Sequence, residues 1–328
     1  MSISMLEMCK TAVFFGEELA RYGFGEAHPF NSNRIYAFWS KANALELVKS
    51  NQIQIEAPEL TDEDTLLTFH DKDYLKLVKQ ASAYGSGLLD LGDTPAFKGV
   101  FEASSYVVGT SLKALDFVVN KRDGVLHAFN PIGGLHHARR GSAGGFCVFN
   151  DIGILSIIAR QKYGISRIAY VDIDAHHGDG VYYEFEHDPL LFIADIHEDG
   201  RYLYPGTGNA SEVGLGNAKG TKINITMKPG SDDNAFISSF GKVEEFIDNV
   251  ARPELIILQC GADSIKGDPL THLQYSSKVY RYAADILHRL SHKYCDGRLI
   301  ALGGGGYNQN NIANAWTEVI MSLMEGVF

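Results

Sequence analysis

Short apolar segments alternate along this chain with longer segments of helical periodicity, and this alternation limits it to a small set of folds. Short runs of this kind are typical of strands that are buried on both faces. The alternation therefore predicts an α/β fold, with a mostly parallel central sheet and helices on both faces. The predicted strands are Gly124 to Phe129, Arg167 to Ile173, Leu190 to Ile196, Lys222 to Thr226, Leu255 to Gln259 and Leu299 to Leu302. The predicted helices run from about Arg34 to Ser50, Phe97 to Asn120, Ile152 to Tyr163, Asn234 to Val250, Ser276 to His292 and Asn310 to Met324.

Length and composition indicate how many domains to expect. The chain has 328 residues with 45% hydrophobic content, which is enough to bury a large core. No repeat or low-complexity linker divides it, so we expect a single domain over residues 1–328. Lys and Arg total 29 against 40 for Asp and Glu, a net charge of -11. This balance argues against nucleic acid as a partner and mildly favours a cationic or lysine-bearing substrate.

The cysteines and the apolar segments bear on location. The four cysteines are scattered without metal-type pairing, which argues against a disulfide framework and a cysteine zinc site. We therefore expect reduced thiols and a cytoplasmic protein. No apolar run is long enough to cross a bilayer, and no signal peptide is recognised, so no membrane partner is predicted. The cysteines are Cys9, Cys147, Cys260 and Cys295.

Polar side chains follow several of the predicted strands, where ligand sites form in parallel sheets. Asp174 and His176 come directly after one strand, and Asp263 follows another. Alone, such an Asp is usually a helix cap and such a His a hydrogen-bonded core residue. Together they offer two oxygen donors and one nitrogen, leaving a coordination position open for water, as catalytic zinc requires. Mixed donors of this kind also suit Fe²⁺ or Co²⁺.

Acid–base groups come from the same strand ends. His136 and His137 follow a Gly-Gly turn, and Asp172 and Asp179 are available to fix their tautomers. The alternative is a pair of surface histidines, which the flanking glycines and Ala138 make less suitable. Tyr307 follows four glycines and could donate a hydrogen bond to a developing oxyanion.

Several motifs together resemble the signature set of zinc-dependent histone deacetylases, in order and spacing, from about His28 to the C-terminal helix. Within that family the chain is most similar to the bacterial acetoin-utilisation deacetylases, notably over His197 to Tyr204. The resemblance implies the arginase–deacetylase α/β fold. The motifs are Gly133 to Ala138, Gly145-Phe146-Cys147 with Asn150-Asp151, Asp172 to Gly180, Tyr204 to Gly208, Gly261 to Asp263, and Gly303 to Tyr307.

This resemblance implies a role for each catalytic group. Zinc would be held by Asp174, His176 and Asp263. His137, oriented by Asp179, would act as general base toward the activated water and then as general acid toward the leaving amine. His136, paired with Asp172, would be its electrostatic partner, and Tyr307 would hydrogen-bond the acetyl oxygen.

The resemblance also implies contacts with substrate and a second ion. Phe146, next to Gly145, and Tyr204 would form the aromatic walls around an acyl-lysine stem, and Asp93 would be a carboxylate at the rim. Without the resemblance, Phe146 and Tyr204 would be interpreted as core packing, and Asp93 as part of a turn. A structural potassium ion would be bound near Asp172, Asp174 and His176, with Asp195 where the family has a serine.

Acetylated lysine in a protein or peptide is the predicted substrate, with hydrolysis of small acetylated amines such as acetylpolyamines as the alternative. Polyamine-selective relatives can carry a glutamate where this chain has Leu270, which favours lysine-type substrates. A non-catalytic acetyl-lysine reader would be expected to lack a ligand or Tyr307. An arginase-like di-metal enzyme would need a second set of carboxylates around His136. The oligomeric state is not predicted.

Overall fold

The computed structural model describes residues 10–90 and 92–325, so Cys9 lies outside the described residues. Across these ranges the chain forms one sheet of eight strands, in which every pairing is parallel. The prediction of a mostly parallel sheet is confirmed. The strands are β1 (Lys10–Phe14), β2 (Ile53–Glu56), β3 (Val125–Asn130), β4 (Ile168–Asp172), β5 (Leu191–Glu198), β6 (Lys222–Met227), β7 (Leu255–Gln259) and β8 (Leu299–Leu302). The α-helices are α1 (Glu17–Ala20), α2 (Asn33–Ala44), α3 (Glu63–Leu66), α4 (Lys72–Tyr84), α5 (Val100–Asn120), α6 (Asp151–Tyr163), α7 (Asp179–Tyr182), α8 (Asp233–Phe246), α9 (Lys278–Tyr294) and α10 (Gln309–Met324).

The order of the strands explains where polar side chains meet. The sheet runs β2-β1-β3-β8-β7-β4-β5-β6, so the last strand of the sequence lies between β3 and β7. The four strands that precede the predicted zinc ligands, the histidine pair and Tyr307 are β3, β8, β7 and β4, and they are consecutive neighbours. Because all of them are parallel, their carboxyl ends lie at one edge of the sheet. We call this edge the catalytic rim.

Both faces of the sheet are buried, as the apolar strands predicted. Along β4, Ile168 and Tyr170 belong to one core cluster, whereas Ala169 and Val171 belong to a second cluster on the other face. The alternation follows from the two-residue period of a strand. Helices α4, α5 and α6 contribute to the first cluster, and α2, α8, α9 and α10 to the second.

Some predicted bounds were wrong. The helix predicted to run to Ser50 ends at Ala44, because Glu46 has φ 57° in the left-handed region. A short 3₁₀ turn, Leu47–Lys49, follows it. The sequence interpretation also missed β1, β2 and α4. None of the described helices combines the length and the apolar character that a membrane span requires.

Candidate active site

Asp174, His176 and Asp263 converge at the catalytic rim, as the sequence predicted. The Nδ1 atom of His176 lies 3.1 Å from Oδ1 of Asp174 and 3.0 Å from Oδ2 of Asp263. Asp174 and His176 lie in the loop after β4, and Asp263 lies in a 3₁₀ turn after β7, the neighbouring strand. Strand β4 ends at Asp172, so Asp174 and His176 lie beyond it, and the alternation of side chains along a strand does not align them. The loop itself brings them together.

Backbone and amide donors hold the outer oxygens of the two carboxylates. Gln259 Nε2 and the Gly305 amide both donate to Oδ2 of Asp174, each at 2.8 Å. The Ala175 amide donates to Oδ1 of Asp263 at 2.8 Å. The inner oxygens consequently face His176. Two oxygens and one nitrogen at these separations fit a divalent cation with about 2 Å ligand distances.

The two adjacent histidines lie beside this cluster with their Nε2 atoms 3.0 Å apart. Nδ1 of His136 contacts Oδ2 of Asp172 at 2.8 Å, and Nδ1 of His137 contacts Oδ1 of Asp179 at 2.7 Å. Since a carboxylate only accepts, each Nδ1 carries a proton and donates it. In the resting pair, the two facing Nε2 atoms share one proton. The pair is therefore one acid–base unit, with the carboxylate partners that the sequence predicted.

The charges around the pair shift the pKa values of His136 and His137 in opposite directions. Burial lowers the pKa of His136, but the carboxylates of Asp172 and Asp174 outweigh it and raise that pKa to about 9. Burial, together with the charge of His136, lowers the pKa of His137 to about 4, against the opposing effect of Asp179. The shared proton thus belongs to His136. Nε2 of His137 carries the lone pair and is the basic atom.

A buried carboxylate that the sequence analysis gave no role positions the loop before these histidines. Oδ1 of Asp151, the first residue of α6, accepts from the Leu135 amide at 2.9 Å. Its other oxygen accepts from the Gly134 amide at 3.0 Å and from Ser111 Oγ at 2.6 Å. Asp151 and its neighbour Asn150 stood in the sequence motif, and that was the available signal.

Tyr307 lies across the rim, beyond the glycine run. Its backbone amide donates to Oδ2 of Asp268 at 2.8 Å, and its ring packs edge-on against Phe146 at 5.7 Å between centroids. Burial, and then the carboxylates of Asp263 and Asp174, raise the pKa of Tyr307 well above its usual value. The phenol therefore keeps its proton and can donate a hydrogen bond. Nothing in the spacing of the sequence singled out Asp268.

Buried Arg34 supports the same glycine run from below. Its Nε donates to the Gly306 carbonyl at 2.9 Å, and its Nη2 donates to the Gly304 carbonyl. The guanidinium also lies 3.8 Å from the centre of the Phe30 ring. The run before Tyr307 is thus held by specific hydrogen bonds.

A cleft of about 500 Å³ opens at the rim, and Asp93 and Tyr204 both line it. The Tyr204 side chain is 46% exposed, and its ring lies 5.1 Å from the His137 ring. Thr94 Oγ1 accepts from the Phe146 amide and donates to Oδ1 of Asp93, each at 3.0 Å. Burial, and then the hydrogen bond with Asp90, raise the pKa of Asp93 to about 6.

Leu270 is placed differently from Asp93 and Tyr204. It is not among the residues that line the cleft. Its amide donates to Oδ1 of Asp268 at 3.0 Å, the carboxylate that also holds the Tyr307 amide. The structure therefore brings its backbone next to the support of Tyr307.

Asp195 is engaged within the protein. Its Oδ1 lies 2.6 Å from Nδ1 of His197, and its Oδ2 accepts from the Gly178 amide at 2.9 Å. Nε2 of His197 faces the Gly208 carbonyl at 2.8 Å, so both ring nitrogens meet acceptors and both must carry protons. The imidazolium therefore offsets the charge of Asp195, and the potassium contact at this residue stays a prediction. His177, for which no catalytic role was predicted, contacts Thr207 Oγ1 at 2.9 Å.

Comparison with known proteins identifies the family to which the chain is similar. A histone deacetylase domain matches residues 28–323. The acetoin utilization protein AcuC of Bacillus subtilis (strain 168) is 37% identical over 313 residues, covering 92% of this chain and 79% of that protein. AcuC of Staphylococcus aureus (strain MSSA476) is 33% identical over 328 residues, covering 96% and 82%.

A solved structure gives the same result for the fold. The crystal structure of the HDA15 HD domain superposes with a TM-score of 0.88 at 26% identity, covering 98% of this chain and 90% of that one. The arginase–deacetylase fold that the sequence motifs implied is thereby confirmed. With a matching domain over most of its length and a relative above 30% identity, the chain belongs to the histone deacetylase family of hydrolases.

Proposed function

We propose that the protein hydrolyses the acetyl amide of acetylated lysine side chains, giving acetate and the free amine. The observation that supports this most is the convergence of three elements at one rim. A three-ligand cluster, a histidine pair with unequal basicity and a protonated phenol all lie at the catalytic rim. Amide hydrolysis needs each of these, because it requires an activated water, a base and a donor to the carbonyl oxygen.

In this proposal Asp174, His176 and Asp263 hold the zinc ion, for which Fe²⁺ or Co²⁺ could substitute. When bound, the ion supplies Lewis acidity, which lowers the pKa of water and polarises the acetyl carbonyl. Gln259 and the Gly305 amide fix the orientation of Asp174, and they keep its inner oxygen toward the ligand position. Such outer contacts tune affinity and geometry in metal sites.

His137 carries the proton transfers. Its Nε2 takes a proton from the attacking water as oxygen bonds to the acetyl carbon, and Asp179 keeps Nδ1 as the donor throughout. The same proton then passes to the amine nitrogen as the carbon–nitrogen bond breaks. The positive charge on His136, maintained by Asp172, stabilises the negative charge that develops on the substrate.

Tyr307 completes the oxyanion site by donating its phenolic hydrogen to the acetyl oxygen. Phe146 and Tyr204 form the walls of the entry, and Gly145 leaves room for the His137 ring. An extended methylene chain fits between two rings without a charged partner. In this proposal the space between these rings accepts the acyl-lysine stem.

The alternative substrate is a small acetylated polyamine, and one observation supports it. Asp90 and Asp93 both line the cleft, where a carboxylate pair could bind a distal ammonium group. In the acetyl-lysine proposal, Asp93 instead accepts hydrogen bonds from the substrate backbone. The two bacterial relatives are acetoin utilization proteins, so an acetylated metabolic enzyme is the class of protein substrate that we propose.

A parallel substrate panel tests the proposal. An acetyl-lysine peptide, free Nε-acetyl-lysine and N-acetylputrescine are compared by kcat/KM, with released acetate as the common readout. We expect the peptide to be the best substrate. An Asp174→Ala variant purified in the same way controls for contaminating hydrolases, since it should lose activity with all three. A strong preference for N-acetylputrescine would replace the lysine assignment, and an active Asp174→Ala protein would contradict the metal-dependent mechanism.

We further propose that the whole chain is one catalytic domain that acts in the cytoplasm. The single sheet with cores on both faces supports the first point. The second is supported by three buried cysteines, Cys147, Cys260 and Cys295, which are free thiols.

A further inference from the structure

Three histidines converge between the sheet and α9, away from the catalytic rim. His127 lies on β3, and His288 and His292 lie one turn apart on α9. His127 is paired in the sheet with Leu299, the first residue of β8, whereas the rim follows the other end of that strand. His127 and His288 are buried, and His292 is half-buried. None of these residues has a role in the proposed deacetylation.

The Nε2 atoms of the three rings approach one another. Nε2 of His292 lies 3.1 Å from Nε2 of His288 and 3.4 Å from Nε2 of His127. All three ligand atoms lie within 4.8 Å of one another. Tetrahedral ligands with zinc–nitrogen distances near 2.05 Å are separated by about 3.3 Å. The two measured separations bracket that value.

The tautomer of His288 supports the same interpretation. Nδ1 of His288 faces the Ser322 carbonyl at 3.0 Å, so that nitrogen carries the proton and Nε2 presents its lone pair to the cluster. Nδ1 of His127 is fully buried and meets no hydrogen-bond partner of normal geometry among the described residues. A single N–H between the rings can serve only one of the two Nε2 contacts. One cation would accept a lone pair from each of the three Nε2 atoms.

We propose that His127, His288 and His292 form a second metal site, which takes a late first-row divalent cation such as Zn²⁺. Three imidazole nitrogens without a carboxylate disfavour Mg²⁺ and Ca²⁺, which prefer oxygen ligands. Two ligands on α9 and one on β3 make the ion a crosslink between helix and sheet. Its role is structural, because metal binding to a folded site stabilises the fold.

Zinc stoichiometry tests this site on the full-length protein without a histidine tag. The protein is dialysed against buffered free Zn²⁺, and zinc per chain is measured by atomic emission. We expect two ions in the wild type and one in His288→Gln, with deacetylase activity of that variant unchanged. We also expect one ion in Asp174→Ala and none when both changes are combined. His187→Gln is the matched control, since its side chain is 72% exposed, and it should keep two ions.

Equal zinc content in the wild type and His288→Gln would overturn the proposal. If His288→Gln does not fold, His292→Gln replaces it. A second measurement needs no change in the cluster: Asp174→Ala loaded with Co²⁺ should show the visible absorption of nitrogen-ligated cobalt and a higher melting temperature. Absence of both would equally overturn the site, whatever the outcome at the catalytic rim.

Discussion

At the scale of single residues, Gly145 shows how closely the backbone approaches a reacting group. A Cβ atom at this position would lie 2.3 Å from Cδ2 of His137, and φ is +51°. We predict that Gly145→Ala displaces the His137 ring and lowers kcat by about 100-fold, the effect expected for a misplacement near 1 Å. Steady-state kinetics on acetylated substrate measure this.

Gly241→Ala is the control for that change. Gly241 lies in α8, where a Cβ atom would meet nothing within 4 Å. Its kcat should equal that of the wild type. If Gly145→Ala also retained the wild-type kcat, the assignment of His137 as the base would be contradicted.

Tyr307 gives a second prediction at this scale. Tyr307→Phe should leave the metal content unchanged and lower kcat by about 100- to 1000-fold, as expected for loss of one oxyanion donor. Turnover and metal analysis of the same preparation measure both quantities. Tyr84→Phe is the matched control, because Tyr84 is 83% exposed and should have no effect. An unchanged kcat in Tyr307→Phe would remove the oxyanion role.

How far the site could be predicted depends on how its residues are held. Asp174 and His176 stood out because polar groups rarely cluster directly after a buried strand. Gln259 and Asp268 could not be recognised, since their roles depend on contacts with residues far away in sequence, Asp174 and Tyr307. The roles of Gln259 and Asp268 can be recognised only from their contacts in the three-dimensional structure.

At the scale of elements, prediction succeeded where burial was complete. Strands β7 and β8 have the predicted bounds, and every residue in them is buried. Strand β2 lies at the edge of the sheet and is only partly buried, so it lacks the apolar run that marked the others. Helix α4 did carry a signal, because its buried residues recur at helical spacing, and the interpretation overlooked it. They are Tyr74, Leu75, Val78 and Ser82.

His70 connects elements near the site and gives a pH prediction. Its Nε2 accepts from the Asn150 amide at 3.0 Å, beside the start of α6, and its Nδ1 faces the Arg140 carbonyl at 3.2 Å. Burial lowers the pKa of His70 to about 4. Between pH 6.5 and 4, His70 is therefore protonated in the unfolded chain but neutral in the folded chain. The free energy of unfolding falls as the pH drops through this range. The loss is about 3 kcal/mol for this drop in pKa.

Urea unfolding of the wild type and His70→Gln across this range measures the effect. Glutamine keeps a donor and an acceptor but does not titrate. The difference in unfolding free energy between the two proteins should therefore shift in favour of His70→Gln as pH falls from 6.5 to 4. Parallel pH profiles would show that His70 is not the group responsible.

At the scale of the whole molecule, the alternation of elements was enough to predict a parallel sheet with two covered faces. The order of its strands could not be predicted from the alternation, because nothing local places β8 between β3 and β7. The fold family came instead from motifs that mark the catalytic rim. The residues that follow the strands therefore indicated the fold family, whereas the strands themselves predicted only the fold class.

The central position of β8 also sets the order of events in folding. Among the described strands, the hydrogen bonds of the sheet join one part, β2-β1-β3, to the other, β7-β4-β5-β6, through β8 alone, Leu299–Leu302. Long-range pairings of this kind form slowly. We predict that amides of β3 and β7 gain protection from hydrogen exchange together with those of β8 during refolding, as measured by pulse labelling. Protection of β3 and β7 well before β8 would contradict this order.

The position of β8 between β3 and β7 also bears on when the chain becomes active during its synthesis. His137 follows β3 and Asp174 follows β4, so the base and the ligand cluster belong to different parts of the sheet. His136, His137, Asp172 and Asp174 are all synthesised before Leu299 emerges, and we expect their mutual geometry to become fixed only when that strand is inserted. Catalytic competence should therefore arise in one late step.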